Sequence, residues 1–197
     1  MKKITLLAML CCISFAKTLA QQTYQNGTGL ERVGAMTNSS GQTVLAPAGY
    51  YFSKALQGSS YISWGSTSNS YAFADTFTVP AGSPWNINTV LFYAYQTNNT
   101  QPLPITELYM QIWNGDPSLP ASSIVLGNLM TNTLDASSIE NEYTYRVGYN
   151  SPSTSSKIWS FKGNLTGQLQ PGTYWITWSW TCSGTIYFPD NQLSSGT

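Results

Sequence analysis

The chain has 197 residues, with Lys plus Arg equal in number to Asp plus Glu, eight of each, three cysteines and no histidine. Only 8% of residues are charged, so there is no basic footprint for nucleic acid. The missing histidine removes the commonest general base, the triad base and the commonest transition-metal ligand together, which argues against zinc and serine-hydrolase chemistry.

At the N-terminus Lys2 and Lys3 precede an apolar run of 13 residues, Ile4 to Ala16, and a small-residue exit at Thr18-Leu19-Ala20. This is the pattern of a secretory signal peptide, residues 1–20, with cleavage after Ala20. The run is shorter than the ~20 residues a bilayer-spanning helix needs. Cys11 and Cys12 sit in mid-run after Met9-Leu10, not where a lipoprotein signal places its cysteine. No later stretch reaches spanning length, so the expected product is exported without a transmembrane segment, to the cell surface, the medium or the periplasm of a bacterium. Residues 21–197 number 177, one domain's worth. They carry five basic and eight acidic side chains, a formal charge of −3. Two cysteines leave with the signal, so Cys182 is the single cysteine of the expected mature chain and no intrachain disulfide is expected. It is expected as a buried thiol on a strand, with an intermolecular bridge as the alternative.

Residues 21–70 are rich in Gly, Ser, Asn and Thr and predict an irregular N-terminal part of the domain, with one or two short strands around Thr43–Ala46 and Tyr50–Phe52. From residue 71 to 197 the alternation sharpens into a sandwich. Phe73, Phe77 and Val79 share one parity before the Pro80-to-Pro84 break. Trp85, Ile87, Leu91, Tyr93 and Tyr95 make a second strand, and Leu108, Met110 and Ile112 a third, ended by Asn114-Gly115-Asp116-Pro117. Ile124–Gly127, Tyr143–Tyr149, Ile158–Phe161, Thr173–Trp180 and Thr185–Phe188 bring the count to about eight. Apart from one candidate turn at Asp135–Glu140, nothing keeps helical spacing. The expected fold is all-β with little or no helix: a two-sheet antiparallel β-sandwich, jelly-roll-like.

Leu169-Gln170-Pro171-Gly172-Thr173-Tyr174 has the form of a tyrosine corner. Tyr174 is expected to return its hydroxyl to upstream backbone and Leu169 to fill the core beneath. Gly172 would supply a backbone geometry that a side chain hinders. Phe77, Trp85, Leu91, Ile112, Tyr174, Ile176 and Trp178 have the parity of core.

Phe73-Ala74-Asp75-Thr76-Phe77-Thr78-Val79-Pro80, Trp85-Asn86-Ile87, Val90 to Thr97, Gln111 to Pro117 and Leu169 to Trp175 together resemble a family of uncharacterised bacterial secreted β-sandwich domains over residues 25–190. The family pattern has two consecutive aspartates before the residue matching Phe77, where this chain has Asp75-Thr76. The resemblance implies an exported domain, alone or within larger surface proteins, sometimes followed by a sorting tail for type IX secretion. No such tail is visible here. The family domain runs longer at its end, so the chain is expected to be truncated at the C-terminus. No reaction accompanies the family.

A carboxylate pair would serve a polysaccharide-degrading enzyme. Asp75, Glu107, Asp116, Asp135, Glu140, Glu142 and Asp190 are the candidates, with Arg146 and the tyrosines for a lyase, and no spacing selects two of them. Asn114 and Asp116 offer hard oxygens for calcium, against the plainer reading of a turn; no other cofactor is indicated. The aromatics say most. Most of the seven Trp and thirteen Tyr are expected to be structural, and Trp64, Trp113, Tyr149 and Trp159 are expected to offer a platform for sugars. The expected function is a non-enzymatic surface module with a structural, adhesive or binding role toward a surface polysaccharide or another surface protein. The alternatives are a carbohydrate-binding module and a carboxylate-dependent polysaccharide-degrading enzyme.

Overall fold

A computed structural model describes residues 30–55, 65–66 and 72–189. The expected signal peptide, Trp64 and Asp190 lie outside them. The described residues form strands and no helix: β1 (Ala35–Thr37), β2 (Thr43–Leu45), β3 (Tyr51–Lys54), β4 (Gly65–Ser66), β5 (Phe73–Val79), β6 (Trp85–Tyr95), β7 (Ile105–Trp113), β8 (Ile124–Asn128), β9 (Leu134–Val147), β10 (Lys157–Leu169), β11 (Gly172–Cys182) and β12 (Ile186–Tyr187). The larger sheet has the order β3-β9-β10-β6-β12-β4, the second sheet β5-β11-β7-β8, and β1-β2 is a separate hairpin. Consecutive strands β5, β6 and β7 alternate between the two main sheets, which makes a β-sandwich.

Alternation along each strand aims one set of side chains between the sheets. Phe92 and Ala94 of β6, Trp159, Phe161, Leu165 and Leu169 of β10 and Ile186 of β12 meet Val79 of β5, Leu108, Met110 and Ile112 of β7, and Trp180 and Cys182 of β11 in one buried cluster. Burying a side chain of this size contributes about 1.5–3 kcal/mol, so this layer is the main source of stability. Gly163 lets the sheets approach here: a Cβ on it would lie 2.4 Å from Met110 Cε and 2.6 Å from Leu108 Cδ2. Cys182 is buried, with its Sγ 3.1 Å from the Gly184 carbonyl oxygen.

Leu91 departs from the expected core set, at 46% exposed. β10 pairs with β6 in two registers separated by a bulge between Asn164 and Gly167. The bulge shifts the inward phase of β6 from Trp85 and Ile87 to Val90, Phe92 and Ala94, and turns Leu91 out. The candidate helical turn at Asp135–Glu140 is part of strand β9, held by β10 through Asp135↔Lys162 and Glu140↔Ser160.

The stretch expected to be irregular is more ordered than its composition suggests. β3 pairs in parallel with β9, Tyr51↔Thr144 to Lys54↔Val147, where an antiparallel partner was expected. Met36 of the hairpin, Phe52 of β3 and Tyr145 and Val147 of β9 close a second core. Arg146, named only within the lyase alternative, is 4% exposed. Its Nη1 donates to Ser53 Oγ at 3.2 Å and to the Lys54 carbonyl at 3.1 Å, so it fastens β3 to β9.

Residues 170–171 carry the chain from β10 across to β11 in the other sheet. Tyr174 Oη donates to the Gln170 carbonyl at 3.0 Å, its ring stacks on Phe77 at 5.8 Å, and Leu169 is buried below. Gly172 differs from expectation. It is absent from the left-handed glycines, and a Cβ on it would meet the Tyr174 ring at 3.5 Å, an ordinary contact.

Candidate functional site

The outer face of the β5-β11-β7-β8 sheet is built from the residues of opposite parity to the core. Cross-strand register sets them in rungs: Thr78 and Thr173; Thr76, Trp175, Trp113 and Ile124; Ala74, Thr177, Gln111 and Gly127; Ser179 and Tyr109; Thr181 and Glu107. Two indoles therefore stand side by side on neighbouring strands, both half-buried, with Tyr109 four residues back along β7 on the same face. An exposed sheet face ordinarily carries charged or β-branched side chains. This one carries large rings with small polar groups set among them.

The rings are held. Trp113 Nε1 donates to Thr177 Oγ1 at 3.1 Å, which fixes that indole against β11. Thr76 Oγ1 donates to the Tyr174 carbonyl at 3.2 Å and keeps β5 in register beside Trp175. Gln111, Thr177 and Ser179 are each less than 9% exposed, buried among larger neighbours. Glu107 is half-buried at one end of the face. The Thr181 hydroxyl across from it on β11, and then the Tyr109 hydroxyl, hold its carboxyl below the usual carboxylate range. These rungs hold no Lys or Arg, so the face offers flat apolar surface, the exposed hydroxyls of Thr76, Thr78 and Thr173 and one carboxylate.

Of the four expected platform residues, only Trp113 stands here. Trp159 is 9% exposed and belongs to the core between the sheets, because the inward phase of β10 runs through Trp159, Phe161 and Gly163. Tyr149 is 39% exposed just beyond β9 of the other sheet, its ring centroid 6.0 Å from Lys54 Nζ. Trp64 falls outside the described residues. Trp175, Tyr109 and Gln111 were missed, although Trp175 breaks the parity of Tyr174, Ile176 and Trp178, and that break was legible.

No family model, curated protein or solved structure matches the chain.

At the turn after β7, both calcium candidates spend side-chain oxygens on the loop. Asn114 Oδ1 accepts the Ser123 amide at 2.7 Å and Asp116 Oδ1 the Ser118 amide at 2.8 Å. The Ser118 backbone, then its hydroxyl, lowers the Asp116 pKa. Among the described residues, no group of three or more Cys, Asp or Glu side chains is placed to hold a metal ion. Other carboxylates serve local structure: Glu142 pairs with Arg32, Asp135 Oδ1 accepts the Ser137 hydroxyl at 2.6 Å, and Asp75 Oδ1 accepts the Thr76 amide at 2.7 Å. Among the described residues no helix is long and apolar enough to cross a membrane.

Proposed function

We propose that this chain is an exported, non-enzymatic surface module that binds carbohydrate through the outer face of the β5-β11-β7-β8 sheet. The observation that carries the reading is the Trp175–Trp113 rung, with one indole already anchored to Thr177. Indole faces cover the apolar C–H faces of a pyranose, while the exposed threonine hydroxyls of the same face meet its hydroxyl groups. Rings set before binding lose little entropy when the ligand arrives. An adhesive role at the cell surface follows from the same contacts. The family resemblance supports an exported context and supplies no reaction.

A glycan array, followed by titration calorimetry on the best ligand, tests the reading. Trp175→Ala is the informative variant, because that indole can be removed without cutting the Trp113–Thr177 bond. Affinity is expected to fall about tenfold or more while far-ultraviolet circular dichroism stays unchanged. Absence of any glycan ligand, or binding indifferent to Trp175→Ala, overturns it.

A further inference from the structure

A second aromatic cluster lies on the other sheet, away from the Trp113 face, and differs from it in charge. Tyr50 stacks on Tyr145 at 5.0 Å and 26°, and meets Tyr143 at 5.6 Å and 58°. Lys157 Nζ stands 5.3 Å from the Tyr50 ring centroid, and the Tyr50 hydroxyl accepts from Asn141 Nδ2 at 3.4 Å. Among the described residues Lys157 forms no ion pair, whereas the neighbouring Glu142 is neutralised by Arg32. The cluster thus carries one uncompensated positive charge beside aromatic rings.

Tyr143 is 57% exposed and its backbone is left-handed, φ 50°, a conformation that is a genuine outlier for a bulky residue. It sits in the bulge where β9 slips against β10, between Ile158↔Thr144 and Trp159↔Asn141. Its amide is tied to Asn141 Oδ1 at 2.9 Å. Burial does not explain a strained backbone that turns a tyrosine ring toward water. Local strain of this kind clusters at ligand-binding and active sites.

We propose that Tyr143, Tyr50, Asn141 and Lys157 form a second binding site, for a pyranose bearing a carboxylate: a uronate unit of an acidic polysaccharide. The exposed Tyr143 ring takes the sugar face, the Asn141 amide and Tyr50 hydroxyl lie within the cluster for its hydroxyl groups, and the Lys157 ammonium takes the carboxylate. A single ammonium supplies one point charge, which matches the one carboxylate of a uronate unit. A peptide adding as a strand finds the adjacent β3 edge occupied, since Val33 and Phe52 exchange both backbone hydrogen bonds, at 2.9 and 2.8 Å. This site does not depend on the Trp113–Trp175 reading, and Trp175→Ala separates the two.

The test is titration calorimetry of the secreted protein with trigalacturonate and with its fully methyl-esterified, neutral counterpart. The acid is expected to bind and the ester to bind at least tenfold more weakly, with affinity for the acid falling as salt rises. Tyr143→Gly supplies a readout that a structural role would not produce: glycine adopts the left-handed backbone freely, so the unfolding midpoint should hold or rise while trigalacturonate affinity drops about tenfold. Lys157→Gln should abolish the preference for acid over ester, and Trp175→Ala should leave trigalacturonate binding intact. No binding of trigalacturonate, equal binding of acid and ester, or full affinity in Tyr143→Gly overturns the proposal.

Discussion

At the scale of single residues, Tyr174 shows how one hydroxyl serves the fold. Its bond to the Gln170 carbonyl closes the arch that carries the chain from one sheet to the other, and the bond is solvent-exposed. Tyr174→Phe keeps the ring on Phe77 and removes only the hydroxyl. A net hydrogen bond contributes about 0.5–1.5 kcal/mol, and solvent can replace this one, so the expected loss is near the low end, about 0.5 kcal/mol. Urea unfolding should show the midpoint falling with an unchanged slope, and an unchanged midpoint would mean the hydroxyl contributes nothing to the arch. Two other polar atoms have the opposite status. Trp159 Nε1 and Trp178 Nε1 are buried and find no hydrogen-bond partner among the described residues. Both belong to rings packed within or against the core, where the apolar area gained offsets a stranded donor.

At the scale of strands, bulges decide which side chains face where. β8 meets β7 through a register shift between Ile112 and Trp113, and Gly127 enters this pairing with φ +74°. A Cβ there would lie 2.4 Å from the Met110 carbonyl oxygen and 2.9 Å from Leu165 Cδ1. The first neighbour is backbone and cannot swing aside. Gly127→Ala therefore combines left-handed strain with a steric clash, and should cost at least about 2 kcal/mol, measured as a loss of urea midpoint. Gly41→Ala is the control. It shares the positive φ, +80°, but has nothing within 4 Å of the added methyl, so only the backbone component should appear. Edge protection is visible at the same scale. β5 closes one side of its sheet, and Asp75, paired with Ile176 on the inward parity, remains exposed. An inward-directed charge on an edge strand discourages another chain from pairing there.

At the scale of the whole molecule, the two cores share one strand. β9 packs Ile139 against the main cluster and places Tyr145 and Val147 in the second, while Arg146 between them binds β3. This continuity predicts a single cooperative unfolding transition. Tryptophan fluorescence reports the main sandwich, because Trp85, Trp159, Trp178 and Trp180 all belong to or pack on its core; far-ultraviolet circular dichroism reports every strand. The two urea curves should coincide. An earlier phase seen in circular dichroism alone would show that the β1–β2 hairpin and β3 unfold as a separate unit.

Period-two alternation and the Pro and Gly breaks made the all-β sandwich legible, because the spacing of apolar residues is a local property of a strand half-buried against a core. β5, β7 and β11 were readable for that reason, as was the Tyr174 arch, whose residues are adjacent in the chain. What crosses the chain was not readable. The parallel pairing of β3 with β9 joins residues about 93 apart and leaves no periodic mark on either segment. The bulge that exposes Leu91 lies in the partner strand β10, so β6 alone could not show it. Local sequence placed Trp113 and Trp159 alike beside turns or off parity. Only the packing of two sheets decided that one faces outward beside Trp175 and the other is sealed between the sheets, because which face of a strand is buried depends on what lies across from it.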